Sequence, residues 1–136
     1  MLKKTVVGMI VVLALISFVH AGSGPDLNEG MWEITVDVEI PGMPMKMPPS
    51  TYTQCLKKDR AVPNDEKPGQ ACVTKDVTTK GNTVTWTMTC TNPGGQMTGK
   101  GMVTYHKDQM DGSMTLEGQG MQMVSHFKGH RIGACQ

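Results

Sequence analysis

The chain has 136 residues, a length that fits one domain. Its 13 lysines and arginines nearly balance 12 aspartates and glutamates, so the charge gives no electrostatic basis for binding nucleic acid or an acidic membrane surface. Branched aliphatic residues are scarce and methionine, with 13 residues, is common, yet the small net charge argues against an intrinsically disordered chain.

Residues 1–21 have the three parts of a secretory signal peptide. Lys3 and Lys4 form a positive start, an apolar run covers Thr5 to Phe18, and Val19-His20-Ala21 matches a signal-peptidase site. A membrane-spanning helix needs about 20 apolar residues, more than this run contains. We therefore expect a signal helix that is cleaved at the end of this segment, no stable membrane anchor afterwards, and a mature protein in the bacterial periplasm or outside the cell.

The first elements after the leader are two strands separated by a proline-rich segment. Residues 22–29 are small and polar, and we expect them to form a flexible lead-in. From Met31 to Ile40 apolar and polar residues alternate, which predicts a half-buried strand. The prolines of residues 41–49 exclude that segment from a strand ladder. A second strand is predicted over Ser50 to Leu56, followed by a charged surface loop over Lys57 to Gln70 with one helical turn near its start.

The rest of the chain predicts a meander of antiparallel strands. Short runs of threonine and apolar residues are interrupted by turn residues every ~8 to 12 positions, so the whole chain has about seven strands and essentially no helix. Strands that are apolar on one face must bury that face, which predicts an all-β protein with one curved sheet or half-open barrel. Four glycines in or beside strands suit sharp curvature, namely Gly99, Gly101, Gly112 and Gly118.

The four cysteines predict two disulfides, because an even number of cysteines in an exported chain is usually paired. A hairpin that turns at Gly81, midway between Cys72 and Cys90, places these two cysteines opposite one another and within disulfide reach. Cys55 and Cys135 then form the second pair and close a long loop. A zinc site is the alternative, but the sequence has no C-x-x-C pair of the kind common in structural zinc sites.

Five short segments together resemble a known family. In chain order they are Gly30-Met31-Trp32-Glu33, Pro41-Gly42-Met43-Pro44-Met45, Gln54-Cys55-Leu56, Trp86-x-Met88-x-Cys90 and Arg131-Ile132-Gly133-Ala134-Cys135. This pattern resembles the DUF3617 family of small exported bacterial proteins, whose function is unknown, and it makes residues 30–136 a single β domain. The resemblance implies export, a shared cysteine framework and a shared Met-Pro segment, and it assigns no catalytic or binding residues.

The Met-Pro segment, residues 41–49, is the part of the sequence that most strongly suggests a ligand-binding site. Met43, Met45 and Met47 offer three thioethers within five residues, and such soft ligands favour Cu(I), so a metal site is one prediction. However, methionine is also a flexible apolar filler. In a proline-rich segment, moreover, side chains rotate by about 120° per residue and need not converge. The alternatives are packing or a lid over the sheet, or a loop that docks a partner.

Other reactive side chains predict no site. His106, His126 and His130 can share a metal only if the sheet brings the turn at His106 beside the last strand, so exposed histidines are the preferred interpretation. The acidic residues of the first strand, among them Glu33 and Asp37, fit a solvated face. The cysteines are expected to be oxidised, and no serine or threonine lies in a recognisable nucleophile motif. The protein is therefore predicted not to be an enzyme.

The predicted function is that of an exported, disulfide-linked binding or accessory module. Trp32 and Trp86 lie on apolar strand faces, so we expect a concave face lined by tryptophan and methionine and partly covered by the Met-Pro segment. A small apolar ligand on this face is the first hypothesis. The alternatives are Cu(I) held by Met43, Met45 and Met47, the one cofactor considered, and contact with another envelope protein.

Overall fold

The computed structural model describes residues 24–64 and 71–136. The predicted signal peptide, the first residues of the predicted lead-in and the second half of the predicted charged loop lie outside the described residues. In the described part, every regular element is a β-strand and none is a helix. These residues accordingly include no helix that is long and apolar enough to cross a membrane.

Seven strands form one antiparallel sheet, which confirms the predicted all-β fold. Their bounds are β1 Gly30–Glu39, β2 Ser50–Leu56, β3 Ala71–Lys80, β4 Thr83–Asn92, β5 Gly95–His106, β6 Gln109–Gly118 and β7 Met121–Gly133. The order across the sheet is β2-β1-β7-β6-β5-β4-β3, so a meander of five strands returns to pair with β1. The sheet curls into a half-barrel, which leaves β2 and β3 as its two edge strands.

Glycines on the inner face let large side chains lie flat against the curled sheet. Trp86 is paired across strands with Gly101, and Phe127 is paired with Gly112. A Cβ atom at Gly101 would lie 2.7 Å from the indole Nε1 of Trp86, and a Cβ atom at Gly112 would overlap the ring of Phe127. These two positions therefore require glycine, because the aromatic rings occupy the space of the missing side chains.

One end of the half-barrel is closed by a packed aromatic core. Trp32 and Tyr105 are fully buried and meet edge to face, with ring centroids 5.7 Å apart. The Trp32 indole donates a hydrogen bond to the carbonyl oxygen of Asn28 (3.1 Å), and the Tyr105 hydroxyl donates one to the carbonyl oxygen of Ala61. Burial, reinforced by the nearby Tyr52, raises the pKa of Tyr105 well above its ordinary value. Trp32 is thus a core residue of the closed end.

The segment before β1 is packed against this core, although residues 22–29 were expected to be a flexible lead-in. Pro25 and Leu27 are fully buried. Leu27 forms a bridge with Lys107, in the turn between β5 and β6, and two backbone hydrogen bonds of 3.0 and 2.8 Å join this segment to Lys107. The end of a half-barrel exposes apolar side chains to water unless another part of the chain covers them, and residues 24–29 provide that cover.

The predicted surface loop after β2 is exposed at residues 57–60 but wrong at residues 61–64, where the chain enters the core. Residues 57–60 form a tight turn closed by backbone hydrogen bonds in place of the expected helical turn. Ala61 and Pro63 are buried. The side chain of Gln54 on β2 holds this stretch with two hydrogen bonds to its backbone, of 3.3 and 2.9 Å. A half-barrel has an open side, and this short apolar stretch covers part of it.

Candidate functional site

An apolar cavity of about 250 Å³ lies on the concave face, further along the strands than the Trp32–Tyr105 core. Six of the seven strands and the stretch after β2 contribute to its wall. Its larger apolar side chains are Val36, Val38, Trp86, Met88, Met114, Leu116, Met123 and Phe127, and its polar side chains include Ser50, Asn64 and Ser125. Among the described residues that line the cavity, none is Asp, Glu, Lys, Arg or His. The described lining of the cavity is thus mostly apolar and uncharged.

The pairing of the strands brings these side chains together. One row across the sheet consists of inward positions on five successive strands, Val38, Ser125, Met114, Gly101 and Trp86. Positions in such a row share one face of the sheet, because side chains alternate between the two faces along every strand. The curl of the sheet then moves the two ends of the row towards each other. Val38 and Trp86 therefore both border the cavity.

Trp86 is a buried residue of the cavity wall. Its side chain is 2% exposed and stacks on Phe127, with ring centroids 6.3 Å apart and the ring planes at 28°. Within the described residues its Nε1 is buried and has no hydrogen-bond partner, whereas the indole of Trp32 is bonded to Asn28. The edge of the indole that bears Nε1 lies against Gly101 of β5.

Two disulfides hold the edge strands, with the pairing expected from the sequence. Cys72 of β3 is bonded to Cys90 of β4, which lies directly opposite it, and both residues border the cavity. Cys55 of β2 is bonded to Cys135, just beyond β7, with the two Cα atoms 5.4 Å apart. Edge strands pair on one side only, so each disulfide adds a covalent link where the sheet has fewest hydrogen bonds. The disulfides are also consistent with an exported protein.

The Met-Pro segment projects into solvent between β1 and β2. Met43, Met45 and Met47 are 61%, 82% and 49% exposed, and none of residues 41–49 lines the cavity. The expectation that this segment packs on the sheet or covers its concave face is therefore wrong. Pro63 borders the cavity instead, because the stretch after β2 is apolar and is fastened to β2 by Gln54.

Of the five residues proposed from the sequence as ligand contacts, Trp86 lines the cavity and the other four do not. Trp32 lies in the closed end, and the three others are the methionines of the exposed segment. Met88, Met114 and Met123 border the cavity, and none of them was proposed from the sequence as a ligand contact. The alternation of apolar and polar residues within each strand indicates which side chains share a face. It does not indicate which strands become neighbours, so it does not predict the cavity.

The three histidines among the described residues lie on the outer surface. His126 and His130 are exposed on β7, opposite Asp37 and Glu33 of β1. His106 ends β5 and is also exposed, with β6 between it and β7. Over residues 24–64 and 71–136, no group of three His, Cys, Asp or Glu side chains is arranged to hold a metal ion.

The fold and the cavity together define a small, disulfide-linked half-barrel of seven antiparallel strands with an apolar concave face. The chain belongs to the DUF3617 family, described as a protein of unknown function, since the sequence model of that family matches residues 27–135. The match includes Leu27, all seven strands and all four cysteines. No curated protein and no protein of solved structure matches the chain.

Proposed function

We propose that the protein binds a small apolar molecule in the cavity on its concave face. The observation that carries this proposal is the cavity itself, about 250 Å³ of space walled by aromatic, aliphatic and thioether groups. Ligand pockets are mostly apolar and usually measure about 300 Å³ or more. At about 250 Å³ the cavity is below that size, so it suits a molecule of about one ring and a short chain, with part of the molecule extending through the open side of the half-barrel.

Three methionines support this proposal through their flexibility. Met88 is buried, and Met114 and Met123 are half-buried at the cavity wall. A methionine side chain has three rotatable bonds and a polarizable sulfur, so it fills irregular space and adjusts to different contacts. We therefore expect the cavity to accept a range of apolar shapes.

The proposal is that of a binding protein rather than an enzyme, acting in the periplasm or outside the cell. The described residues that line the cavity offer no carboxylate, imidazole or amine for general acid–base catalysis. The four cysteines are in disulfides and supply no thiolate nucleophile. Export is supported by the signal-peptide pattern of residues 1–21 and by the disulfides.

Calorimetric titration with n-butylbenzene tests the site, with two serine variants that are matched in chemistry. Ser125 is 7% exposed and lies in the cavity row, whereas Ser113 lies on the opposite face, between Met102 and His126 in the strand pairing. Ser125→Leu places a larger side chain in the cavity and is expected to weaken binding by about tenfold or more, about 1.4 kcal/mol. Ser113→Leu is expected to leave the affinity unchanged.

Two results contradict the proposal. One is a wild-type protein that does not bind the hydrocarbon, and the other is an affinity that falls equally in both serine variants. Circular dichroism first establishes that both variants keep the β fold. Native mass spectrometry of protein purified from its own host gives an independent check, since a co-purified apolar molecule is expected there.

The exposed Met-Pro segment carries a second proposal, Cu(I) binding by Met43, Met45 and Met47. The observation in its favour is that these three thioethers are exposed to solvent rather than packed in the core, where a soft metal can reach them. Titration against a Cu(I) chelator is expected to show binding that is lost when all three are replaced with leucine. An unchanged affinity rejects the metal site and leaves contact with an envelope protein, detectable by crosslinking in cells, as the role of the segment.

A further inference from the structure

The end of the half-barrel away from the packed aromatic core is open. At this end, called the open end below, β1 finishes at Glu39 and β7 begins at Met121. The inward-facing positions of β7 become more exposed towards it, from Ser125 (7%) through the half-buried Met123 to Met121 (52%). Met123 also borders the cavity. Apolar side chains therefore continue from the cavity to the rim of the open end.

The Met-Pro segment leaves the sheet at the same end, shortly after Glu39, and every one of its residues is exposed. Its prolines keep it out of the strand ladder, so the thioethers of Met43, Met45 and Met47 remain in water. Apolar side chains gain free energy when they leave water, and an exposed group of them commonly marks a site of contact with a protein or a membrane. The open end is therefore a surface that favours being covered.

Hydrogen-bonding capacity favours a lipid bilayer over a protein as the cover. The four prolines of the segment have no backbone N–H group, and the N–H group of Met43 donates to the carbonyl oxygen of Ile40 (3.1 Å). Protein interfaces and added strands depend on hydrogen bonds as well as on apolar contact. The boundary between lipid headgroups and acyl chains accepts apolar side chains without requiring particular donors. A segment poor in donors and rich in thioethers matches that boundary.

The charge of the segment is complementary to phospholipid. Lys46, between Met45 and Met47, is the single charged residue of residues 41–49 and is exposed. Lysine side chains can bury their apolar stem while the ammonium group stays in a polar layer. Anionic phospholipid headgroups supply such a layer directly beside the acyl chains. Because there is one charge only, the three thioethers are expected to provide most of the attraction.

We propose that the open end docks reversibly on a bilayer that contains anionic phospholipid. The methionines of the Met-Pro segment then lie at the boundary between headgroups and acyl chains, and Lys46 lies at the headgroup phosphates. In this orientation Met121 and the cavity behind it face the lipid, which is itself a source of apolar molecules. This inference goes beyond the proposed function and does not require a ligand in the cavity.

Flotation with vesicles of phosphatidylethanolamine and phosphatidylglycerol tests the proposal. The exported protein is used, and its mass reports the removal of residues 1–21. The triple variant Met43→Ser, Met45→Ser, Met47→Ser is expected to lower the partition coefficient by about tenfold or more, because it removes the apolar side chains. Leucine at the same three positions is expected to keep the coefficient within about threefold of the wild-type value. Met102→Ser is the control, since Met102 is 48% exposed in the middle of β5, and no change is expected.

The leucine variant separates the bilayer from Cu(I), because leucine keeps an apolar side chain and removes the sulfur. Vesicle binding that survives leucine and is lost with serine supports the bilayer. A wild-type protein that does not bind vesicles, or a serine variant that binds equally well, overturns it. Capture of an envelope protein through the three methionines, without vesicle binding, also overturns it. Titration of the serine variant with n-butylbenzene is expected to match the wild-type protein, so either proposal can fail alone.

A measurement on the unaltered chain locates the contact. Phospholipids that carry a nitroxide on the acyl chain broaden the signals of methyl groups that lie near them. The methyl signal of Met45 is expected to broaden in the presence of such vesicles, and that of Met102 is not. Equal broadening of both signals, or broadening at Met102 alone, overturns the inference.

Discussion

Replacing Gly101 with alanine tests how the curled sheet accommodates Trp86. The backbone of Gly101 does not have a positive φ, so alanine causes no backbone strain and the effect comes from the added methyl group. That methyl would lie 2.7 Å from Nε1 of Trp86 and closer still to two carbons of its ring. The indole is held between β5 and Phe127. We therefore expect the free energy of unfolding to fall by about 1–3 kcal/mol, the usual cost of overpacking a core.

Urea denaturation measures this effect against a matched glycine. Gly133 ends β7, has no positive φ, and has nothing within 4 Å of an added Cβ, so Gly133→Ala is expected to be neutral or to stabilise by up to about 1 kcal/mol. In a Trp86→Leu background the smaller side chain leaves room for the methyl, and Gly101→Ala is expected to lose most of its cost. Equal effects at the two glycines, or a cost at Gly101 that Trp86→Leu does not reduce, would refute this reasoning.

Three further predictions concern the edge strands and the closed end. Replacing Cys55 and Cys135 with serine opens a loop of 80 residues. In urea denaturation, with the other disulfide intact, the free energy of unfolding is expected to fall by about 4–5 kcal/mol, and a loss below about 1 kcal/mol would contradict that estimate. Leu27→Ala is expected to cost about 2–5 kcal/mol, because Leu27 is fully buried, and a neutral result would mean that the segment before β1 is not part of the core. Because burial raises the pKa of Tyr105, the unfolded chain releases this proton first as the pH rises. The resulting stability is complete below the ordinary pKa of about 10 and declines as the pH rises towards the folded value. Tyr105→Phe is expected to remove this alkaline decline, measured by unfolding at a series of pH values, and an unchanged slope would show that another group causes it.

The strands and the disulfides are the features that the sequence predicts best, because both depend on short-range patterns. The alternation of apolar and polar residues around Trp86 predicts that every second residue lies on the inner face. This prediction does not depend on which strand lies beside it. The turn at Gly81 likewise sets Cys72 opposite Cys90 within a single hairpin. In such cases local spacing is sufficient to determine the contact.

The cavity and the closed end were not predictable in this way, because they depend on contacts between distant parts of the chain. Leu27 and the apolar pair Ala61 and Pro63 lie in segments too short to show a period, so their burial follows only from the shape of the half-barrel. The return of β7 to β1 is a long-range pairing. Methionine is an apolar side chain and is usually buried, yet Met45 is 82% exposed. The prolines around it explain this exposure, because they keep the segment out of the sheet.

Binding inside the half-barrel is tested most directly by nuclear Overhauser effects between n-butylbenzene and the methyl groups of the methionines. Met88, Met114 and Met123 border the cavity, whereas Met45 is exposed in the Met-Pro segment. We expect effects from the hydrocarbon to the three cavity methyls and none to the methyl of Met45. Effects confined to Met45 and its neighbours, or absent from all three cavity methyls at saturating hydrocarbon, would contradict a binding site on the concave face.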